Sequence, residues 1–296
     1  MRIPGCAFRV ARSAAGAARV KCQRVLSLTV PTVAYSRLAA SLKYYRQLAA
    51  EVPGLRTVVV SDPDELSAAK ELHARTYHRL GMVPAEVLAE DGRSIGLAED
   101  PHQAHAQYFS VQEVRDGGAR TVAAARVILA SPAAGLASFP FYEKRTLYPR
   151  YRSLLEALDP AACGEISALV REPEASGKAA LMLYRAVWHY ALSQRYEYLL
   201  VSCNARLHHR CKMIFGKSWM VAGPVVAGAY GRDLIPVMID IRDSLDAALT
   251  LSRVNPLKRR IKLKALQFFL RGLPEDVIQP AHRARLARHR LQTAQA

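Results

Sequence analysis

Apolar positions change their spacing several times along this chain, and each change marks an element. Arg56–Ser61 (RTVVVS), just after the break at Pro53-Gly54, is a short β-branched run and reads as a buried strand. Asp62, or Asp64 two residues on, can cap the helix that follows, and Asp64 and Glu65 suit the positive end of its dipole. That helix runs to about Leu80 and stops at Gly81; residues 82–103 keep no steady period and read as a long loop. Tyr108–Val114 and Ala119–Leu129 are strand-like runs around Arg115-Asp116-Gly117-Gly118, a hairpin signal. Beyond a loop with Pro132, Gly135 and Pro140, Phe141–Leu158 reads as a helix interrupted at Pro149. Cys163–Val170 is a strand, and Lys178–Arg195 a helix with Leu181, Tyr184, Trp188 and Ala191 along one face. Tyr198–Ser202 is a buried strand, Ala205–Phe215 a helix ended by Gly216, and Trp219–Ala229 and Leu234–Ile241 two further strands.

Two strands joined through a helix run parallel, whereas a hairpin is antiparallel, so the expected sheet is mixed. The reading is an α/β (α+β) domain over residues 55–242, preceded by a basic arm and helix (1–54) and followed by a basic helical extension (243–296). Within the arm, Tyr35, Leu38, Leu42 and Tyr45 recur at helical spacing, which predicts a helix over Thr32–Ala50, and residues 1–31 read as poorly ordered.

Charge sharpens this division. Residues 1–50 hold nine Lys/Arg and no acid, residues 253–296 eleven Lys/Arg and two acids, and residues 51–252 the other 22 Lys/Arg and 23 acids, out of a net +17. A near-neutral domain is thus flanked by cationic arms that would concentrate an acidic partner through a salt-sensitive field. With 51% apolar residues the chain can bury enough surface to fold, which excludes disorder. The five cysteines (Cys6, Cys22, Cys163, Cys203, Cys211) form no CxxC pair and are odd in number; a reducing compartment is expected, and metal binding has no support. No uninterrupted apolar run approaches the roughly 18–20 residues that span a bilayer. The expected location is cytoplasmic, with a peripheral position on an anionic membrane face or import into an organelle as readings the Arg-rich N-terminus also allows.

Three short segments carry a resemblance. Gly164-Glu165-Ile166-Ser167 lies on the fourth strand; Asp100 precedes Tyr108-Phe109 and a hairpin ending in Ala125-Arg126-Val127-Ile128; and Leu72-His73-Ala74-Arg75-Thr76-Tyr77 leads to Gly81. Together with the element order, which resembles the GNAT acyltransferase fold with its splayed central parallel pair, these are similar to N-acyl amino acid synthases and, more distantly, acyl-homoserine-lactone synthases. Ala168 follows the Glu-Ile-Ser run where the lactone-forming enzymes usually place an Arg. Gln103 stands where a second Asp is expected, and His73 where the first-helix Arg is expected. These departures favour the N-acyl amino acid branch.

The chemistry follows from residue types. Amide formation from a thioester needs a base for the amine and donors for the oxyanion, while a thiol of pKa near 8.5 leaves readily as thiolate. Glu165, on a strand and desolvated, is the leading base; the plain alternative is an ion pair with a cross-strand Arg such as Arg126. Arg126 in turn needs a carboxylate, from Asp100 or Glu165 or from an amino acid acceptor held in bidentate fashion. The resemblance implies that Asp100, His73, Arg75 and Tyr77 shape the acceptor site. Glu174-Ala175-Ser176-Gly177-Lys178-Ala179 opens a helix, and Ser176, Gly177, Lys178 and Ala179 can hold a donor phosphate on backbone N–H groups; an ordinary turn is the competing reading.

The expected activity is transfer of a fatty acyl group from an acyl carrier protein (on its phosphopantetheine) or from acyl-CoA to an amine, with the thioester as co-substrate and no permanently bound cofactor. The alternatives are an acetyl-CoA-dependent N-acetyltransferase and a non-catalytic basic binding protein on the same scaffold. The C-terminal run Lys258–Lys264 with Phe268-Phe269-Leu270 suits an acidic carrier protein or an anionic lipid surface. No nucleic-acid-binding motif accompanies the charge.

Overall fold

The first strand, β1 (Leu55–Val59), and the first helix, α1 (Pro63–Arg79), meet at Asp62, whose carboxylate accepts from the backbone N–H groups of Asp64 (2.8 Å) and Glu65 (3.2 Å). Pro63 sits where a helix has no N–H to satisfy, so the start of α1 is set by two adjacent residues. The computed structural model describes residues 53–82, 84–85, 102–115, 118–227, 233–244 and 268–273, with only the backbone of Met213 and Ile214. The expected helix over 32–50, Asp100 and the run 258–264 lie outside the described residues.

The hairpin forms between β2 (Ala106–Arg115) and β3 (Gly118–Leu129), in register from Ala106↔Ile128 to Arg115↔Gly118. The expected helix over 141–158 is two helices, α2 (Pro140–Lys144) and α3 (Pro149–Glu156). Arg145 and Tyr148, at ψ 137° and 142°, are extended between them, the conformation a residue before Pro149 is pushed into. Then come β4 (Cys163–Arg171), α4 (Gly177–Ser193), β5 (Tyr198–Cys203) and α5 (Ala205–Phe215).

The strand expected over 219–229 is broken into β6 (Trp219–Val221) and β7 (Val226–Ala227), both pairing with β8 (Asp233–Asp240). The reason is a chain crossing. The α2–α3 connection donates Tyr148 N–H to the Ala222 carbonyl (2.8 Å), and a Cβ on Gly223 would lie 2.1 Å from the Thr146 carbonyl oxygen. Pro224 has no N–H with which to continue the ladder.

The strand order is β1-β2-β3-β4-β5-β8-β6, antiparallel except for β4 and β5. Their parallel ladder runs only from Cys163↔Tyr198 to Ile166↔Val201, although β4 continues to Arg171 and β5 to Cys203. Just past the ladder, Ala168 adopts φ 51°, and the β3–β4 register shifts between Ala124 and Arg126. A bulge of this kind bends its strand, so the central pair splays. On one face of the sheet α4 and α5 cover Phe109, Val111, Val127, Leu199, Val201 and Ile239. The opposite face is covered by α1 over Tyr108, Ala124 and Val170 and by the α2–α3 region over Ile128, Leu200 and Met238. Among the described residues no helix is long and apolar enough to cross a membrane.

Candidate active site

Side chains alternate along β4, and two neighbours there face opposite demands. Gly164 turns toward the α4 side, where a Cβ would come within 2.8 Å of both Tyr196 Cε2 and Val127 Cγ1, so a side chain does not fit without displacing them. Glu165 turns the other way. It lies opposite Ile128 on β3 and Leu200 on β5, is 5% exposed, and its Oε2 accepts the backbone N–H of Phe141 at 2.8 Å, in the first turn of α2. Burial pushes the carboxyl up to about 7, against the pull of the Phe141 N–H and the charges of Arg145, Arg126 and Lys144.

The cations come from different elements. Arg126 is 6% exposed, and its register partner is Ser167, two positions beyond Glu165 on the same face. Its Nη1 donates to the Tyr108 hydroxyl at 3.2 Å, and its guanidinium lies 6.0 Å from the Tyr108 ring centroid. Arg145, at the end of α2, donates through Nε to Ser202 Oγ at 2.9 Å. Ser202 is the first β5 residue past the parallel ladder. Arg145 therefore sits where the strands part, close enough to Glu165 to hold its carboxyl down.

Of the α1 residues, His73 is buried on the same face of the sheet, its ring edge-on to Tyr77 with centroids 4.0 Å apart. Arg75 is not with them: its side chain is 49% exposed and tied to Glu71 (3.5 Å) and Glu172 (3.3 Å), joining α1 to the end of β4. Asp100 lies outside the described residues, and Gln103 accepts a hydrogen bond from Lys70. Ser176, Gly177, Lys178 and Ala179 are at the start of α4, apart from Glu165 along β4. Ser176 caps the helix by accepting Lys178 N–H (3.3 Å), and the space a Cβ on Gly177 would enter is open.

Sequence reasoning missed three residues here. Arg171 threads its Nη1 onto the carbonyls of Glu172 (2.7 Å), Pro173 (3.1 Å) and Ala175, which braces the turn that aims the α4 N-terminus. Arg145 and Ser202 meet only when the α2–α3 connection is laid over β5. One Arg among many carries no local signal of such roles.

On the α4 side of the splayed strands lies a partly open apolar pocket of about 40 Å³. Ile166 and Leu169 of β4, Val201 of β5, Trp188 of α4, Phe215 of α5 and Trp219 of β6 are among its walls. Cys211, also in the wall, has its thiol raised by burial, and Cys163 and Cys203 are pushed up to about 12, so these thiols are packing groups and not nucleophiles.

A mixed sheet whose one parallel pair, joined through α4, separates after four register positions is GNAT-like in architecture. No protein-family model and no curated protein matches the sequence. Among solved structures the chain is similar to FeeM, an N-acyl amino acid synthase from uncultured soil microbes, at 17% identity and a TM-score of 0.48 over 66% of this chain and 95% of that one. It is also similar to the acyl-homoserine-lactone synthase LasI (14%, TM-score 0.44, 63% and 90%) and to an N-acetyltransferase from Staphylococcus aureus Mu50 (16%, TM-score 0.41, 63% and 98%).

Proposed function

We propose that this protein is an N-acyltransferase that moves a fatty acyl group from a carrier-protein or CoA thioester to the amine of an amino acid or a similar acceptor. The observation that carries the reading is the buried Glu165 carboxyl, poised near neutrality where β4 and β5 part, with an apolar pocket on the other side of the same opening. The acyl chain lies in the pocket, and the amide-bearing arm of the donor runs along the free edge of β4 past Ile166, as an added strand would. Its phosphate rests on the α4 N-terminus at Ser176–Ala179 beside Lys178.

The acceptor comes from the α1–α2 side. Arg126, with Arg145, holds its carboxylate, and His73 and Tyr77 bound the space. An amine must be neutral to attack. Glu165 accepts the ammonium proton, directly or through one water; the nitrogen adds to the carbonyl carbon, the C–S bond breaks, and the second proton of the adduct's nitrogen passes through solvent to the departing thiolate, leaving the neutral amide and the free thiol. Peptide N–H groups that the bulge at Ala168 turns out of the β3–β4 ladder support the oxyanion. Arg75, tied to Glu172, serves to anchor α1 against β4.

The apolar lining of the pocket suits a hydrocarbon chain, and on this reading a long acyl donor is preferred over acetyl-CoA. The test is mass spectrometry of lipid extracts from cells expressing the wild type or Glu165→Gln, with purified enzyme assayed on acetyl-CoA, long-chain acyl-CoA and long-chain acyl carrier protein. The reading expects a new acylated amine that the variant does not make. Equal product from folded Glu165→Gln would sink it, and preference for acetyl-CoA would favour the acetyltransferase alternative.

A further inference from the structure

Downstream of β8, residues Phe268–Leu273 pack on the outer side of the pocket wall. Phe269 is 4% exposed and Leu273 is buried with it in the core beneath α4 and α5. The Phe269 ring stands edge-on to Trp188 (centroids 6.1 Å apart) and to Phe215 (5.9 Å), and Phe215 is itself stacked on Trp219 at 5.9 Å. All three partners line the apolar pocket. Two residues one turn apart on α4 pin the segment. Arg185 donates to the Phe268 carbonyl (3.3 Å) and lies over the Phe268 ring at 4.5 Å, and His189 Nε2 is 2.5 Å from the Phe269 carbonyl oxygen.

From this we infer that Phe269 backs the end wall of the acyl pocket and sets the longest chain the protein accepts. The inference rests on the reading of that pocket as the acyl site. Trp188 and Phe215 cannot move outward while the Phe269 ring fills the space behind them, since close-packed aromatic walls yield only where a void exists. Shortening residue 269 opens that void and lets the wall retreat; enlarging it pushes the wall inward. The segment belongs to the C-terminal extension, so chain length would be read by residues outside the acyltransferase domain proper.

The experiment compares wild type, Phe269→Leu and Phe269→Trp, each checked by circular dichroism for retained fold, on saturated acyl donors of increasing length. One methylene in an apolar pocket discriminates by about tenfold or more, so Phe269→Leu should raise the ratio of kcat/KM for the longest to the mid-length donor at least about tenfold, and Phe269→Trp should lower it. A second readout does not need turnover. The only two tryptophans, Trp188 and Trp219, both line the pocket, so chains brominated at the terminal carbon should quench intrinsic fluorescence up to a limiting length that moves with residue 269. Unchanged length limits in both folded variants would overturn the role of Phe269. An absence of quenching by any brominated chain in the wild type would overturn the acyl-pocket reading itself, together with what rests on it.

Discussion

Glu165 shows how one side chain can be held between two ionisation states. Removal from water by Ile128, Leu200 and the start of α2 disfavours the charge, while the Phe141 N–H and three nearby cations favour it, and the balance falls near 7. Because the folded value lies above the ordinary carboxylate range, the protonated group stabilises the fold below about pH 4.5, and that contribution is lost as pH rises through about 7. Urea midpoints should therefore fall between pH 5 and pH 8 in the wild type more than in Glu165→Gln, which has no such proton to lose. Activity runs the opposite way: transfer should rise through a limb near pH 7, and Glu165→Gln should lose that limb along with roughly 10²–10⁴-fold in kcat. Arg145→Met removes a charge that holds the carboxyl down, so its activity limb should move to higher pH while the fold persists; a pH–rate profile with an unmoved limb would separate Arg145 from the site.

At the scale of elements, the loop from β4 to α4 and the crossing over β6 are the parts most exposed to single changes. Arg171 organises three carbonyls and touches no reacting atom, so it is a positioning residue. Arg171→Met should raise KM for the thioester severalfold with kcat nearly kept, read by varying donor at saturating acceptor; an equal fall in kcat would place Arg171 in the chemistry. Gly223 faces backbone at 2.1 Å, and backbone cannot rotate away as a side chain can. Gly223→Ala should cost about 1–3 kcal/mol or more, measurable as a lowered urea midpoint. Gly164→Ala presses on Tyr196 and Val127 at 2.8 Å and should cost less if the Tyr196 ring gives way.

For the whole molecule the governing quantity is a net charge of +17 gathered toward the chain's two ends. An acidic carrier protein would approach along the resulting field, so kcat/KM for acyl carrier protein should drop several-fold between low and physiological salt, more steeply than for the same acyl group on CoA. Parallel salt series with the two donors test this, and equal slopes would argue against carrier-protein steering. The fold that carries the charge was largely legible in the chain. Alternation and turn residues predicted the hairpin, the β4–α4–β5 crossover and α5 close to their observed limits. They failed at 219–229, because what stops that strand is the carbonyl of Thr146, more than 70 residues upstream, and no local pattern encodes a distant crossing.

Periodicity, capping residues and turn residues are properties of the chain itself, and they determine that the Glu165 carboxylate sits on a central strand. What the residues around that carboxylate do to it is decided only on folding. Its near-neutral pKa requires Ile128 and Arg126 from β3, Leu200 from β5, and Phe141 and Arg145 from α2 and its end, and the pocket walls Trp188 and Phe215 are packed from behind by Phe269. Secondary structure depends on neighbours a few positions away. Desolvation, charge fields and cavity walls depend on distance in space, and that is why only tertiary structure settled them.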